Sequence, residues 1–189
     1  MRKFLAGLSW CLVLVYPFIV LFGLKYFSLQ YIGVAFIALA LLRIVLLRSQ
    51  TGGNGLPVLL STVLLLVAAH ALLANDPKLL RFYPVAINAV MFAVFGTSLW
   101  RGPSFVERLA RLSEPDLDAH AVDYTRKVTI AWCVFFVCNG LVAFYTSVYS
   151  SFDTWVIYNG GIAYLLIGVL FSIEWLIRRQ VKRGHNGDA

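Results

Sequence analysis

The chain has 189 residues, of which 60% are hydrophobic and 13% charged, with a net charge of +7 and a mean hydropathy of +0.80. A soluble domain is about 45–50% apolar and about 25% charged, and a core this small cannot hide the surplus apolar surface. The composition excludes an ordinary water-soluble domain and points to a single all-α polytopic membrane domain over residues 1–189.

Six apolar runs are long enough to cross a bilayer, each near the about 20 residues that a helical span requires. The first, Phe4–Leu24, follows Arg2-Lys3 and so begins like a signal peptide. It is longer than a signal core of about 7–15 residues, and Leu21-Phe22-Gly23 offers no small-x-small cleavage site, so it reads as a retained span. The second is Leu29–Leu47. Gly52-Gly53-Asn54-Gly55 then breaks the helix, and Pro57 suits the first turn of the third span, Leu56–Ala74. Asn75-Asp76-Pro77 is a turn signal before the fourth, Leu80–Trp100. A long loop, 101–127, leads to the fifth, Val128–Tyr149, and the short hairpin Ser150-Ser151-Phe152-Asp153 to the sixth, Thr154–Ile177.

Lys and Arg orient these spans by the positive-inside rule. With a cytoplasmic N-terminus, thirteen fall on the inner side, and only Lys25, Lys78 and Arg81 on the outer. Both termini are then cytoplasmic, as an even number of spans requires. Trp100 and Trp175 fall at inner boundaries and Trp155 at an outer one. Topology and attraction to anionic lipid account for the net charge, and no nucleic acid is implied. The basic tail Arg178-Arg179-Gln180-Val181-Lys182-Arg183 fits the same account.

Within the long loop, Ser104 and Glu107 form a capping box. Phe105, Leu109 and Leu112 recur at i, i+4 and i+7, while Glu107, Arg108 and Arg111 take other faces. This predicts a short cytoplasmic amphipathic helix at the membrane surface, ended by Pro115. Phe105, Arg108, Leu109, Arg111 and Leu112 are the candidate contacts to lipid or to a cytoplasmic partner. Glu114, Asp116, Asp118 and Asp123 suggest a solvated acidic stretch beyond it, and five basic residues balance five acids across the loop.

Polar groups at membrane depth are costly and carry a functional hypothesis by default. His70, Asn88, Asn139 and Asn159 fall in four different spans, and Tyr158, with Tyr16 and Tyr83, can join them. At about 1.5 Å per residue, all four lie in the outer half, Asn88 and Asn139 about 12–15 Å in. They serve either as hydrogen-bonding glue between helices or as a polar pocket opening outward. Glu174 sits one turn before Arg178, a spacing that suits an interfacial ion pair. Gly160, Gly161 and Gly168 suggest close helix packing. Cys11, Cys133 and Cys138 form no C-x-x-C pair and read as small apolar residues. No spacing of His, Cys, Asp or Glu suggests a metal, and no cofactor or catalytic motif is present. Tyr16-Pro17 and Tyr83-Pro84 hint at a 3+3 inverted repeat.

The second half carries a distinctive order of residues. Tyr83-Pro84-Val85 leads through Asn88 to Phe95-Gly96-Thr97-Ser98-Leu99, then Glu107-Arg108-Leu109-Ala110, Tyr124-Thr125-Arg126-Lys127-Val128-Thr129, Ala131-Trp132, Phe135-Phe136, Asn139-Gly140 and Tyr158-Asn159-Gly160. Over about Leu80–Arg179 this resembles an uncharacterised family of bacterial inner-membrane proteins found beside aryl-polyene and fatty-acid-like biosynthesis genes, and it is similar in layout to the septation protein A family. The resemblance implies an inner-membrane, non-enzymatic role in envelope biogenesis, handling a lipid-like product or scaffolding its synthesis. The implied partners are membrane lipids and cytoplasmic lipid, polyene or envelope-synthesis enzymes, and a homo-oligomer is left open. A small transporter or lipid flippase is the first alternative, and an integral-membrane transferase the second.

Overall fold

The computed structural model describes residues 26–48 and 55–185, and every regular element among them is helical. The expected first span, Cys11, Tyr16-Pro17 and most of the glycine loop lie outside the described residues.

Helix α1 spans Leu29–Arg48 and α2 spans Leu56–Leu73, within a residue of expectation. Asn75 ends the α2 segment with a left-handed φ of 50°, a conformation that Asn tolerates well. Asp76 then accepts the Lys78 amide at 2.9 Å and starts a 3₁₀ turn, Pro77–Phe82. Helix α3 follows over Tyr83–Ser98, with Pro84 in its first turn, where no amide donor is missed. The short α4, Phe105–Arg111, has the capping box: Glu107 N donates to Ser104 Oγ, and Ser104 N donates to Glu107 Oε2.

Helix α5 spans Ala119–Tyr149 and begins nine residues before the expected span. Asp118 caps it, accepting the Ala121 amide at 2.7 Å. The expected acidic loop therefore ends at Asp118, and Asp123 is helical and paired with Lys127 at 2.7 Å. Hydropathy detects where polarity changes, whereas the helix starts at its cap. At about 1.5 Å per residue α5 is about 46 Å long, more than the about 30 Å of bilayer hydrocarbon. Ser151 caps α6, Phe152–Ile157, which continues through a π turn, Tyr158–Ile162, into α7, Ala163–His185.

Pro77–Ser98, Ala119–Tyr149 and Phe152–Arg179 are long and apolar enough to cross a membrane, and Leu29–Leu42 and Val58–Leu73 are shorter apolar stretches. Leu141, Leu165 and Phe171 are among many large apolar side chains left exposed. Such a surface is compatible with a membrane-embedded protein.

Two buried clusters hold the helices together. One joins Ile32, Phe36 and Ala40 of α1 to Leu64, Ala68 and Ala71 of α2, and to Leu80, Trp155 and Val156. Gly33 allows this α1–α2 contact, since a Cβ there would meet Leu72 at 2.5 Å. The other cluster is aromatic: Phe95 of α3 stacks on Phe105 of α4 at 4.1 Å and meets Phe136 of α5 edge-on. Gly161 and Gly168 do not serve the close packing expected of them. A Cβ at either would meet nothing within 4 Å.

Candidate functional site: a groove with polar ends

The polar residues of α3 and α5 meet across the helix interface. Asn139 Nδ2 donates to Asn88 Oδ1 at 3.1 Å. Tyr158 Oη, from the π turn, donates to Asn139 Oδ1 at 2.9 Å. Asn88 Nδ2 closes back on the Pro84 carbonyl at 2.8 Å, so the chain of bonds ends on backbone. Asn88 and Asn139 are each 7% exposed. Gly140 makes the approach possible, because a Cβ there would lie 3.1 Å from Asn88 Cβ.

Asn159 stands in a second arrangement beside the first. Its Nδ2 donates to the Trp155 carbonyl at 2.9 Å and to Thr146 Oγ1 at 3.2 Å. A carbonyl only accepts, so this fixes the amide orientation. Asn159 Oδ1 is thereby left buried without a partner.

Arg81 governs one end of the bundle. Its guanidinium donates to the carbonyls of Thr146 and Ser150, the latter at 2.9 Å, and so caps the C-terminus of α5. A cation is favoured there because the last carbonyls of a helix lack partners and carry partial negative charge. The Arg81 carbonyl in turn accepts Ser147 Oγ at 2.9 Å and Trp155 Nε1 at 3.1 Å. At the other end Arg126 Nη1 donates to the Leu99 carbonyl at 3.0 Å, just past α3. Each helix of the antiparallel pair thus has an arginine near its start that caps the end of the other. In sequence Arg81 counts only as an outer-side charge. Its burial at 9% exposure is the main structural feature that sequence reasoning missed.

Between α3, α4, α5 and the α6–α7 segment runs a groove of about 840 Å³. Asn88, Asn139 and Asn159 line one end, Glu174, Arg178 and Arg179 the other. Its walls are apolar and largely aromatic, with Met91, Phe95, Trp132, Phe136, Ile167 and Phe171 prominent. Tyr164 also lines it, and its hydroxyl has no hydrogen-bond partner among the described residues. A non-polar middle between polar ends suits one hydrocarbon chain with polar termini.

The structure brings Asn88, Asn139 and Tyr158 into one hydrogen-bonded set and places Asn159 at the same end of the groove. His70 stands apart, exposed on α2 and not among the groove residues. Of the amphipathic-helix residues, Phe105 and Leu109 line the groove. Leu112 is 76% exposed. Arg108 is exposed and donates to the Pro103 carbonyl at 2.8 Å. Arg111 pairs with Glu107 at 2.8 Å. Glu107 does not face water as expected but is buried, because its carboxylate serves both the Ser104 amide and Arg111. The α4 helix is docked on its neighbours: Phe105 N donates to Ser98 Oγ at 2.9 Å and Val106 N to Thr129 Oγ1 at 3.3 Å.

Glu174 and Arg178 do not form the expected ion pair among the described residues, although both line the groove. The Glu174 carbonyl accepts Tyr124 Oη at 3.2 Å. Arg179 lies over the Trp175 ring at 4.3 Å. Cys133 is buried as expected, whereas Cys138 is exposed. No group of three metal-ligating side chains occurs among the described residues. The π turn and Tyr164 have no signal in hydropathy, but the Asn159-Gly160-Gly161 run marks the place where the helix widens.

Comparison with protein-family models, with characterised proteins and with solved structures gives no match.

Proposed function

We propose that this chain is a bacterial inner-membrane protein supporting cell-envelope biogenesis, and that it does so by holding a lipid-like product in the groove between α3, α5 and α7. The observation that carries this reading is the groove itself: about 840 Å³, aromatic along its length and polar at both ends. A protein that only scaffolds enzymes has no use for such a space. The residue order shared with the aryl-polyene-associated and septation protein A-like proteins supports an acyl-polyene type of cargo. In this reading six spans cross the membrane with both termini cytoplasmic, and the mouth at Arg178 opens at the cytoplasmic face. The exposed Arg108 and Leu112 on α4 then stand where a cytoplasmic synthesis enzyme can deliver the product. No catalytic role is proposed, because the polar groups at the two ends do not form an acid–base pair at one depth.

Gentle extraction from the native membrane, followed by native mass spectrometry and lipid analysis, tests this. A specific co-purifying lipid or polyene, lost in Asn139→Ala, is expected. Bulk phospholipid alone, unchanged in the variant, rules the binding role out.

One observation favours the second reading, a small transporter or flippase. Asn159 and Arg178 are 19 positions apart, about 28 Å along a helix. This is close to the full hydrocarbon thickness. A groove of that length offers a path across the bilayer. Movement of labelled lipid between leaflets of reconstituted vesicles distinguishes transport from holding.

A further inference from the structure

Two side chains that line the groove carry polar atoms with no partner among the described residues. Asn159 is 5% exposed, lines the groove, and leaves its Oδ1 buried without a donor. A buried acceptor without a partner is destabilising, and more so in a membrane, where no bulk water reaches it. Rotating the amide does not relieve it, since Nδ2 already serves the Trp155 carbonyl. Five residues on, Tyr164 lines the same groove with a hydroxyl that has no partner among the described residues. The π turn Tyr158–Ile162 lies between them. Such widened turns interrupt helices chiefly where a site needs them. Arg178 also lines the groove, nineteen positions from Asn159, and makes no hydrogen bond or ion pair among the described residues.

We infer that the groove selects a single-chain amphiphile polar at both ends: a hydroxyl or N–H that completes Asn159 and Tyr164, and an anionic group at Arg178. This rests on the groove being a binding site, and it specifies the chemical class of the occupant. An ordinary phospholipid has only methyl-ended chains to offer at the depth of Asn159. A hydroxyl-ended chain can donate to Asn159 Oδ1 and accept from Tyr164 Oη, the two bonds left open. Oδ1 is shielded by its neighbours, so the donor must come from a group inserted between the side chains around it. The separation of about 28 Å between Asn159 and Arg178 calls for a very long chain.

Affinities of the purified full chain for docosanoate and ω-hydroxydocosanoate, two acids that differ only in the terminal hydroxyl, test this. The hydroxy acid should bind about tenfold more tightly, the scale of a satisfied buried hydrogen bond. The preference should fall in Tyr164→Phe, which removes one unpartnered hydroxyl and leaves folding intact, and should vanish in Asn159→Ala. Arg178→Gln should weaken both acids alike. Equal binding of the two acids by the unmodified protein overturns the inference but leaves the groove as a hydrocarbon site. Unchanged affinity in Arg178→Gln overturns the assignment of the anionic end. Failure of both acids to bind overturns the inference and the groove reading together.

Discussion

Asn139 donates to Asn88 across the α3–α5 interface at 3.1 Å, and its own Oδ1 is taken by Tyr158. A side chain that gives and receives between three segments does more than bridge two helices. It sets the rotation of α3 and α5 at the level where the π turn packs against them. Such bonds between membrane helices average about 0.6 kcal/mol and reach about 1.7 kcal/mol. The pair is therefore a modest source of stability but a specific one. Asn88→Ala and Asn139→Ala should each lower thermal stability, and the double variant should lose less than the sum of the two. A coupling of about 0.5–1.5 kcal/mol in a double-mutant cycle is expected. Strict additivity shows that the two amides act independently.

Gly140 sets how near the two helices come. A methyl group there lies 3.1 Å from Asn88 Cβ, closer than ordinary contact. Gly140→Ala should push α3 away from α5, stretch the Asn88–Asn139 bond and destabilise by about 1–2 kcal/mol, as overpacking does. Gly168→Ala meets open space and should be neutral, or stabilising by up to about 1 kcal/mol through helix propensity. Unfolding temperatures of the two variants in one detergent decide it: Gly140→Ala should fall and Gly168→Ala should not, although the two changes are chemically identical.

Much of this was legible in the sequence where the cause is local. The α1 and α2 boundaries follow from apolar runs ended by turn residues. The Ser104–Glu107 capping box follows from spacing alone. The similar depth of Asn88 and Asn139 is legible in the sequence, but their direct contact comes only from the structure. What escaped depends on distant residues. Arg81 reads as an outer-side charge at the start of the fourth span until the α5 end, 65 positions away, is brought to it. Glu107 reads as a surface acid until α4 docks on α5 through Thr129. His70 is read into the same outer half as the asparagines but does not share their direction, because periodicity in so apolar a helix does not say which face is inside. Gly161 and Gly168 look like packing residues, yet nothing approaches them.

Arg81 itself makes the strongest stability prediction. It holds the carbonyls of Thr146 and Ser150 through charge-assisted bonds, each worth about 1.5–3 kcal/mol. Its backbone oxygen, held by Ser147 and Trp155, is unaffected by substitution. Arg81→Ala should therefore leave the turn in place while uncapping α5, at a cost of about 2–4 kcal/mol. Arg81→Lys should recover part of this, because an ammonium is a point donor and does not reproduce the guanidinium fork. Loss of amide-exchange protection over residues 146–150, with residues 125–135 unaffected, is the expected signature. A uniform loss along α5 shows instead that the cap holds the whole bundle.

Glu107 links α4 to the groove. Its carboxylate holds the Ser104 amide and Arg111, while Phe105 and Leu109 on the same helix form part of the groove wall. Removing the carboxylate leaves the Ser104 amide unpaired and frees Arg111, so the capping box keeps only its Ser104 Oγ half. Glu107→Ala should cost about 1–2 kcal/mol locally, as cap losses do. Its effect should be confined to α4, because Phe95, Phe136 and Trp132 pack together without it. Glu107→Gln keeps the reciprocal bond and should cost less, since Gln serves in capping boxes as well. Faster amide exchange over residues 104–112, together with weaker retention of a groove-bound hydrocarbon, is expected in Glu107→Ala and not in Glu107→Gln. If exchange quickens while retention holds, α4 is a support for the aromatic cluster and not a wall of the site.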